Sequence, residues 1–518
     1  MTNLSDLLRV AAERDPEGVA LVEHRPERRQ VTWAELDAAA DQVARGLSGR
    51  GLVAGQRVAV VMANRIDLPI AYFGILRGGM VAVPINPRST ADEIGRMLAD
   101  SVARVALADE TGVAQVRAAV AATDLTVSVV VDGAEPTDHE TAFAAFLDEA
   151  HATAPTAPPD PEALAVILYT SGTSGRPRGA MLSHRALLAN IEQVAAVEPS
   201  IVTADDVSLA LLPLFHVYGL NAVLGQAVHQ GNTVVMVDGF DPVGLLDVVV
   251  AEGVTNLPLA PPVFAAWVGR PDLHDKLAGV RTVLSGAAAL DPDLAAAFTE
   301  SSGHVVHQGY GLTESAPVVS VTLASDRDRS EAPTPYSVGH PLPGVEVRTA
   351  DEVDGPAATD PAQIWIRGAN LFSGYWPDGA DGPRPDGWYA TGDIGLIEGG
   401  DLFLVDRLRE LIIVSGFNVY PREVEDVVLE VDGVANVAVV GQPDEATGEA
   451  VVAFVEPLEG VDETVLREAV DAQCRTRLAR FKQPTRVVVV SGLPRSATGK
   501  IEKGRLRALA RSSALGLD

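Results

Sequence analysis

The chain has 518 residues, too many for one hydrophobic core, so two or more folding units of unequal size are expected. Its formal charge of −30 argues against non-specific binding of nucleic acid or an anionic membrane, and requires that any anionic ligand be held by local positive groups. The single cysteine, Cys474, excludes a disulfide framework and a cysteine-based metal cluster. No apolar run approaches the ~20 residues of an integral membrane segment, and the charged N-terminus has no apolar signal core, so a soluble cytoplasmic protein is expected.

In chain order, Thr32 and Glu35 have the spacing of a capping box, and Leu36, Ala40, Val43 and Leu47 follow on one helical face. The apolar run 58–62 predicts a strand, and a helix over 68–76 and a short strand at 80–83 come next. A second capping box at Thr90 and Glu93 opens another helix, and 105–108 and 127–131 are buried-strand candidates. Strands alternating with helices imply a mainly parallel, two-sided sheet. The Pro/Ala-rich segment 151–161 reads as a connector. The apolar run 163–167 then leads into a loop, and strand-like runs resume at 207–212, 233–237 and 281–284. From 363 to about 406, short strands alternate with glycine turns, which suggests a small β unit. Beyond it lies an α+β pattern: a helix at 421–429, strands at 434–440 and 450–455, and a helix from Asp462 to about 479. Cys474 shares the helical spacing of Leu466, Val470 and Leu478, as a small core residue would. The expected division is 1–406 and 407–518.

Several stretches carry chemistry. The first is the loop Thr170-Ser171-Gly172-Thr173-Ser174-Gly175-Arg176-Pro177-Arg178. Its glycines let backbone N–H groups approach an anion, its hydroxyls donate to phosphate oxygens, and Arg176 and Arg178 add charge. It is not a Walker loop, because no Gly-Lys-Ser/Thr ends it; a polar turn that binds nothing is the alternative. Ser285-Gly286-Ala287 follows a strand-like run and would sit at a sheet's carboxyl edge, although such small-residue turns also occur for packing alone. In Tyr310-Gly311-Leu312-Thr313-Glu314-Ser315, an aromatic can stack on a base, a hydroxyl can donate to phosphate and a carboxylate can hold Mg2+; a solvated surface turn is the plainer reading. Asp393, after Gly392, can accept two ribose hydroxyls or close an Asx turn. The charged segment at 406–410 suits a hinge, and Lys500 stands on a glycine-bearing loop, where a solvated lysine is equally ordinary.

Taken together, TSGTSGRPRG, PLFHVYG, SGAA, YGLTES, TGD, DRLRE, SGFNVYP and ATGKI occur in order across nearly the whole chain. This set resembles the acyl-adenylate-forming superfamily of acyl-CoA synthetases, peptide-synthetase adenylation domains and luciferases. The wording SGFNVYPREVE is most similar to medium- and long-chain fatty acyl-CoA ligases. The resemblance implies an α/β protein with a large N-terminal domain of stacked, mainly parallel sheets and a mobile, smaller C-terminal α+β domain. It implies ATP, Mg2+ and CoA as cofactors and co-substrates, with a carboxylic acid as the other partner. The loop from Thr170 to Arg178 would handle the β- and γ-phosphates. Ser285, Gly286, Ala287, Tyr310 and Gly311 would border the nucleotide, Thr313 would contact the α-phosphate and Glu314 would bind Mg2+. Asp393 and Arg407 would hold the ribose, Arg409 would be the hinge, and Lys500 would reach the carboxylate and α-phosphate. His216 would border the acyl pocket, and Ser415, Gly416 and Phe417 would lie along the thiol channel.

The chain departs from the family pattern at Arg178, where the loop commonly ends Pro-Lys-Gly, and at Arg409, normally Lys or Asp. Gly311 stands where acetate-activating relatives carry Trp, which favours an acid longer than acetate. Phe215-His216-Val217-Tyr218 lacks the Asp of amino-acid-activating relatives. Aryl-CoA ligase remains an alternative, as does an acyl-AMP ligase loading a carrier protein, whose usual insertion is not evident between 389 and 407. Retention of Glu314, Asp393 and Lys500 together disfavours an inactive nucleotide-binding scaffold.

Overall fold

A computed structural model describes the chain except residues 25–26, 124–125, 149–159, 171–176, 326–327, 351–352, 354–360, 408–409, 411, 415–416, 445–446, 497–498 and 515–518. Two compact units emerge: Met1–Glu346 with Ile366–Tyr389, and Val347–Trp365 with Ala390–Asp518. The division therefore falls at Tyr389/Ala390 and not at 406/407 as expected. The hairpin of Tyr389–Glu398 and Asp401–Arg407 explains the shift: it is hydrogen-bonded into one four-stranded sheet with Val345–Thr349 and Ala362–Gly368, which lies mostly in the second unit.

The first unit holds two large sheets. One has nine strands in the order His340–Pro341, Val318–Val321, Val306–Gly311, Thr282–Ser285, Asn256–Leu259, Val207–Ala210, Thr233–Met236, Val19–Glu23 and Arg29–Thr32. Its six central strands are parallel, and antiparallel strands close both edges. The other has seven strands in the order Glu140–Ala142, Ser128–Asp132, Val105–Asp109, Arg57–Val61, Val81–Pro84, Leu164–Thr170 and Arg178–Ser183. It is parallel except for the last pair, an antiparallel hairpin.

Side-chain chemistry stacks these sheets. Helices Trp33–Gly49 and Asp67–Arg77 lie between them, sharing one apolar cluster with residues of both sheets. The second of these helices is buried from Asp67 to Leu76, as a helix enclosed on both sides must be. Helices Pro242–Ala251, Pro261–Trp267 and Pro292–Ser302 cover the far face of the nine-stranded sheet. Ala91–Ser101 and Val113–Ala121 cover the far face of the seven-stranded sheet. Both expected capping boxes form: Thr32 Oγ1 accepts from the Glu35 amide at 3.2 Å and Thr90 Oγ1 from that of Glu93 at 3.3 Å, and each glutamate accepts in return from its threonine's amide.

In the second unit, Gly448–Pro457 is the centre of a five-stranded sheet. It pairs antiparallel with Val434–Asp444 and Ile412–Val414, and parallel with Arg486–Val489. Helices Pro421–Leu429 and Glu463–Arg477 pack on one face, where Cys474 is buried with Leu466 and Val470 as its spacing predicts. Helix Lys503–Ala514 covers the other through Leu506 and Ala510. Among the described residues, no helix is long and apolar enough to cross a membrane.

Candidate active site

The carboxyl ends of the adjacent parallel strands Asn256–Leu259, Thr282–Ser285 and Val306–Gly311 lie side by side, with Leu259 in register with Ser285 and Ser285 with Gln308. This edge is where open α/β sheets take ligands. Ser285 is buried, and its Oγ has no hydrogen-bond partner among the described residues. Ala287, two residues on, holds a φ of +68°, a conformation that costs a non-glycine residue energy. A buried hydroxyl without a protein partner beside a strained turn leaves a polar atom for a ligand to satisfy. Between them, the Gly286 amide donates to the Leu259 carbonyl at 3.1 Å. A Cβ at 286 would lie 2.3 Å from Cε1 of Tyr218, so the glycine is what admits that ring.

The strand Val306–Gly311 ends in a 3₁₀ turn, Thr313–Ser315. Three elements pin its backbone: the Phe372 amide donates to the Glu314 carbonyl at 2.9 Å, Asn370 Nδ2 to that of Ser315 at 2.7 Å, and Asn221 Nδ2 to that of Ala316 at 2.7 Å. The Glu314 carboxylate accepts a hydrogen bond from the Tyr375 hydroxyl through Oε1. Burial, and then the charge of Glu314, push the Tyr375 phenol up, so it stays a donor. Tyr310 is buried one strand position before Gly311. A Cβ at Gly311 would lie 2.1 Å from the Pro317 carbonyl oxygen. The glycine is thus required by packing against backbone, and the expectation that it opens a longer acyl pocket loses its support.

His216 precedes a π-helix, Tyr218–Gly225, and its carbonyl accepts from the Leu220 amide at 2.9 Å. Such turns recur at functional sites. Desolvation pushes the His216 imidazole down to about 4 and the Tyr218 phenol up, so both side chains are neutral near pH 7.

Thr170 and Arg178 are register partners across the hairpin, and Thr170 Oγ1 donates to the Arg178 carbonyl at 3.4 Å. Between them, Ser171, Gly172, Thr173, Ser174 and Gly175 lie outside the described residues, as do Arg409, Ser415 and Gly416. The Arg178 guanidinium lies 3.7 Å from the Tyr375 ring centroid and pairs with Asp381 at 2.7 Å.

In the second unit, Asp393 and Arg407 are register partners on antiparallel strands, so the hairpin places side by side two residues expected to act together. Asp393 is buried, its amide donating to Thr391 Oγ1 at 3.1 Å. Phe417 pairs with Val414 in a short hairpin. Lys500 closes a turn in which the Ser496 amide donates to its carbonyl at 2.8 Å and the Gly499 amide to that of Ser496 at 2.9 Å. Just beyond, Lys503 Nζ bridges Glu410 and Glu425, each at 2.9 Å. The first unit therefore gathers Thr170, Arg178, His216, Ser285 to Ala287 and Tyr310 to Glu314, and the second carries Asp393, Arg407, Phe417 and Lys500.

No group of three or more His, Cys, Asp or Glu side chains suited to a metal occurs among the described residues. A lone carboxylate with one oxygen already bonded fits a magnesium ion that arrives on nucleotide phosphates, since Mg2+ usually takes one or two protein carboxylates. Sequence reasoning missed Tyr375 and Asp381. The available signal was the aromatic pair Tyr375-Trp376 between Gly374 and the turn Pro377-Asp378-Gly379.

The family model for AMP-binding enzymes matches residues 8–376, and that for the AMP-binding enzyme C-terminal domain matches 423–500. The chain belongs to the AMP-binding enzyme family. It is an acid–thiol ligase of the AMP-forming class. This AMP-binding enzyme is 34% identical to 4-coumarate–CoA ligase-like 9 of Oryza sativa subsp. japonica, over 96% of this chain and 90% of that one. It is 30% identical to long-chain-fatty-acid–CoA ligase of Bacillus subtilis, over 97% and 94%. Its fold superposes on the crystal structure of ATP-bound MatB from Rhodopseudomonas palustris with a TM-score of 0.86 and 30% identity, covering 99% of each chain.

Proposed function

We propose that this AMP-binding enzyme converts a monocarboxylic acid with an uncharged tail, foremost a medium- to long-chain fatty acid, into its CoA thioester through an acyl-AMP. The observation that carries this reading is the Tyr218 ring set against Gly286, with His216 two residues before it in the chain and both held uncharged by burial. Two uncharged side chains suit an apolar tail and offer a second carboxylate no counter-charge. Similarity to the Bacillus subtilis long-chain-fatty-acid–CoA ligase supports the aliphatic choice. An aryl acid is the second reading, favoured by similarity to the coumarate ligase.

In the first half-reaction, a carboxylate oxygen bonds to the α-phosphorus of ATP while the bond to the β-phosphate oxygen breaks, releasing pyrophosphate. Negative charge crowds on one phosphorus, and catalysis is largely its neutralisation by fixed groups. Thr313 donates to the α-phosphate and Lys500 supplies a positive charge. Ser285, Gly286, Ala287 and Tyr310 hold the adenine, and Asp393 with Arg407 the ribose. The segment from Thr170 to Arg178 holds the outgoing phosphates. Magnesium, held by Glu314, supplies further counter-charge when bound. In the second half-reaction, the thiol of CoA gives up its proton and its sulfur bonds to the acyl carbon as AMP leaves with the carbon–oxygen electron pair. Arg409 serves as the hinge between the two steps, and Ser415, Gly416 and Phe417 line the thiol's path. The uninterrupted hairpin from Tyr389 to Arg407 supports free CoA over a carrier protein, because it carries no insertion.

The test is carboxylate-dependent ATP–pyrophosphate exchange across straight-chain and aromatic acids, repeated with CoA while thioester is followed. Turnover of straight-chain acids of medium length or longer is expected. Turnover of benzoates or cinnamates with none of straight-chain acids would overturn the substrate choice.

A further inference from the structure

We propose that Tyr375 is the positioning residue for Glu314, and that an Asp381–Arg178 ion pair holds Tyr375 to that task. The proposal rests on the reading of Glu314 as the carboxylate that meets the nucleotide-bound metal. It gives the arginine at 178 a second role, directed at the protein's carboxylate, beside its place at the end of the phosphate segment.

Four observations converge. The Tyr375 hydroxyl donates to Glu314 Oε1, which fixes one of the carboxylate's two oxygens. The Tyr375 backbone is locked on both sides: its amide donates to the Ala380 carbonyl at 2.9 Å, its own carbonyl accepts from the Gly379 amide at 2.8 Å, and it bridges Ala180. Ala180 stands two residues beyond Arg178 on the same strand. The ring is wedged by Phe372, at 5.1 Å and 80°, and Phe372 in turn packs on Tyr389 at 5.1 Å and 74°. On its face sits the Arg178 guanidinium, 3.7 Å from the centroid, with Nη2 held by Asp381 Oδ2 at 2.7 Å. The tight turn that starts at Tyr375 is what carries Asp381 back to this place, at a left-handed φ of +52°.

The chemistry follows from the geometry. A cation over a phenol ring draws electron density from it and strengthens the hydroxyl as a donor to a carboxylate. A glutamate without that donor is free to sample its rotamers beside a wall of aromatic carbon. A planar guanidinium can stack on the ring and pair with Asp381 at once, whereas an ammonium is a compact point charge that cannot match both. The residue at 178 therefore connects the phosphate-loop hairpin to the Glu314 turn through one ring.

The test uses the full-length protein without acid, so that no turnover occurs, and measures Mn2+·ATP affinity by electron paramagnetic resonance. Glu314→Gln is the reference. Tyr375→Phe is expected to weaken Mn2+·ATP about tenfold, Arg178→Lys and Asp381→Asn by less, with KM for the acid, read in a separate turnover assay, unchanged in Tyr375→Phe and Asp381→Asn. Tyr375→Phe combined with Asp381→Asn should be no worse than Tyr375→Phe alone, because both act along one path. Wild-type affinity in Tyr375→Phe, with loss in Glu314→Gln, overturns the positioning role and leaves the Glu314 reading intact. Wild-type affinity in Glu314→Gln overturns that reading and this inference with it. If Tyr375→Phe fails to fold, the exposed Asp381→Asn decides: unchanged Mn2+·ATP affinity there refutes the proposal.

Discussion

Replacing Gly286 by alanine puts the contact between its turn and Tyr218 to the test. The new methyl carbon would lie 2.3 Å from Cε1, 2.8 Å from Cζ and 3.0 Å from the hydroxyl oxygen of Tyr218. Carbon atoms rest about 3.5–4.0 Å apart, so the ring or the turn must yield by roughly 1 Å or more. Neither yields readily, because Gly286 is tied to the Leu259 carbonyl and Tyr218 opens the π-helix. Overpacking of this kind costs about 1–3 kcal/mol, and an ångström of misplacement costs up to about a hundredfold in rate. Thermal melting and ATP–pyrophosphate exchange should therefore both fall, with KM for ATP rising. Adding Tyr218→Ala removes the obstruction, and the double variant should be at least about 1 kcal/mol more stable than the two single changes sum to. A Gly286→Ala enzyme with wild-type melting and kinetics, or an additive cycle, would refute the reasoning.

Lys500→Ala should lower acyl-AMP formation by about 10²–10³-fold while largely sparing thioester formation from supplied acyl-AMP; equal loss in both half-reactions would sink the assignment. On the proposed ribose-holding role of Asp393, Asp393→Ala should weaken ATP by roughly 10–100-fold in calorimetry, with unchanged affinity counting against that role. His184 is buried, its Nδ1 accepts from the Leu4 amide at 3.1 Å, and desolvation pushes it down to about 4. A depressed imidazole leaves stability intact above its ordinary value near 6.5 and drains it as the pH falls toward 4, by up to about 3 kcal/mol. Melting temperatures taken from pH 7 down to pH 5 should fall less steeply in His184→Gln than in the wild type, and parallel curves would falsify the linkage.

Much of the first unit was readable because its signals are local. The capping boxes at Thr32 and Thr90 and the apolar runs at 58–62 and 105–108 name elements without tertiary help. The strand Asn256–Leu259 escaped because Pro258, which cannot donate to a ladder, sits in it; its pairing with Val207–Ala210 is confined to Asn256 with Ser208. Arg178–Ser183 was hidden because a loop that ends in glycine looks like the entry to a helix, whereas the chain first returns along Leu164–Thr170. At the site, motif residues were legible one by one. The Tyr375 bond to Glu314 and the Tyr218 contact with Gly286 depend on segments far apart in sequence, and no periodicity encodes them. Gly311 shows the opposite error, where a substitution seen in relatives suggested a pocket and the Pro317 carbonyl occupies the space instead.

The register of Thr170 with Arg178 sets a leash as well as a loop. Seven residues, 171–177, join two points fixed on neighbouring strands, and extended chain spans at most about 3.3–3.6 Å per residue. The chain between them is long enough to extend at most roughly 12–14 Å beyond the sheet edge and return. Lengthening it by two or three glycines would cost the fold little closure entropy, about 0.6 kcal/mol or less per doubling of length, while raising that bound. One register pair of the hairpin thus limits how far the segment can extend, and its length can be varied largely apart from stability.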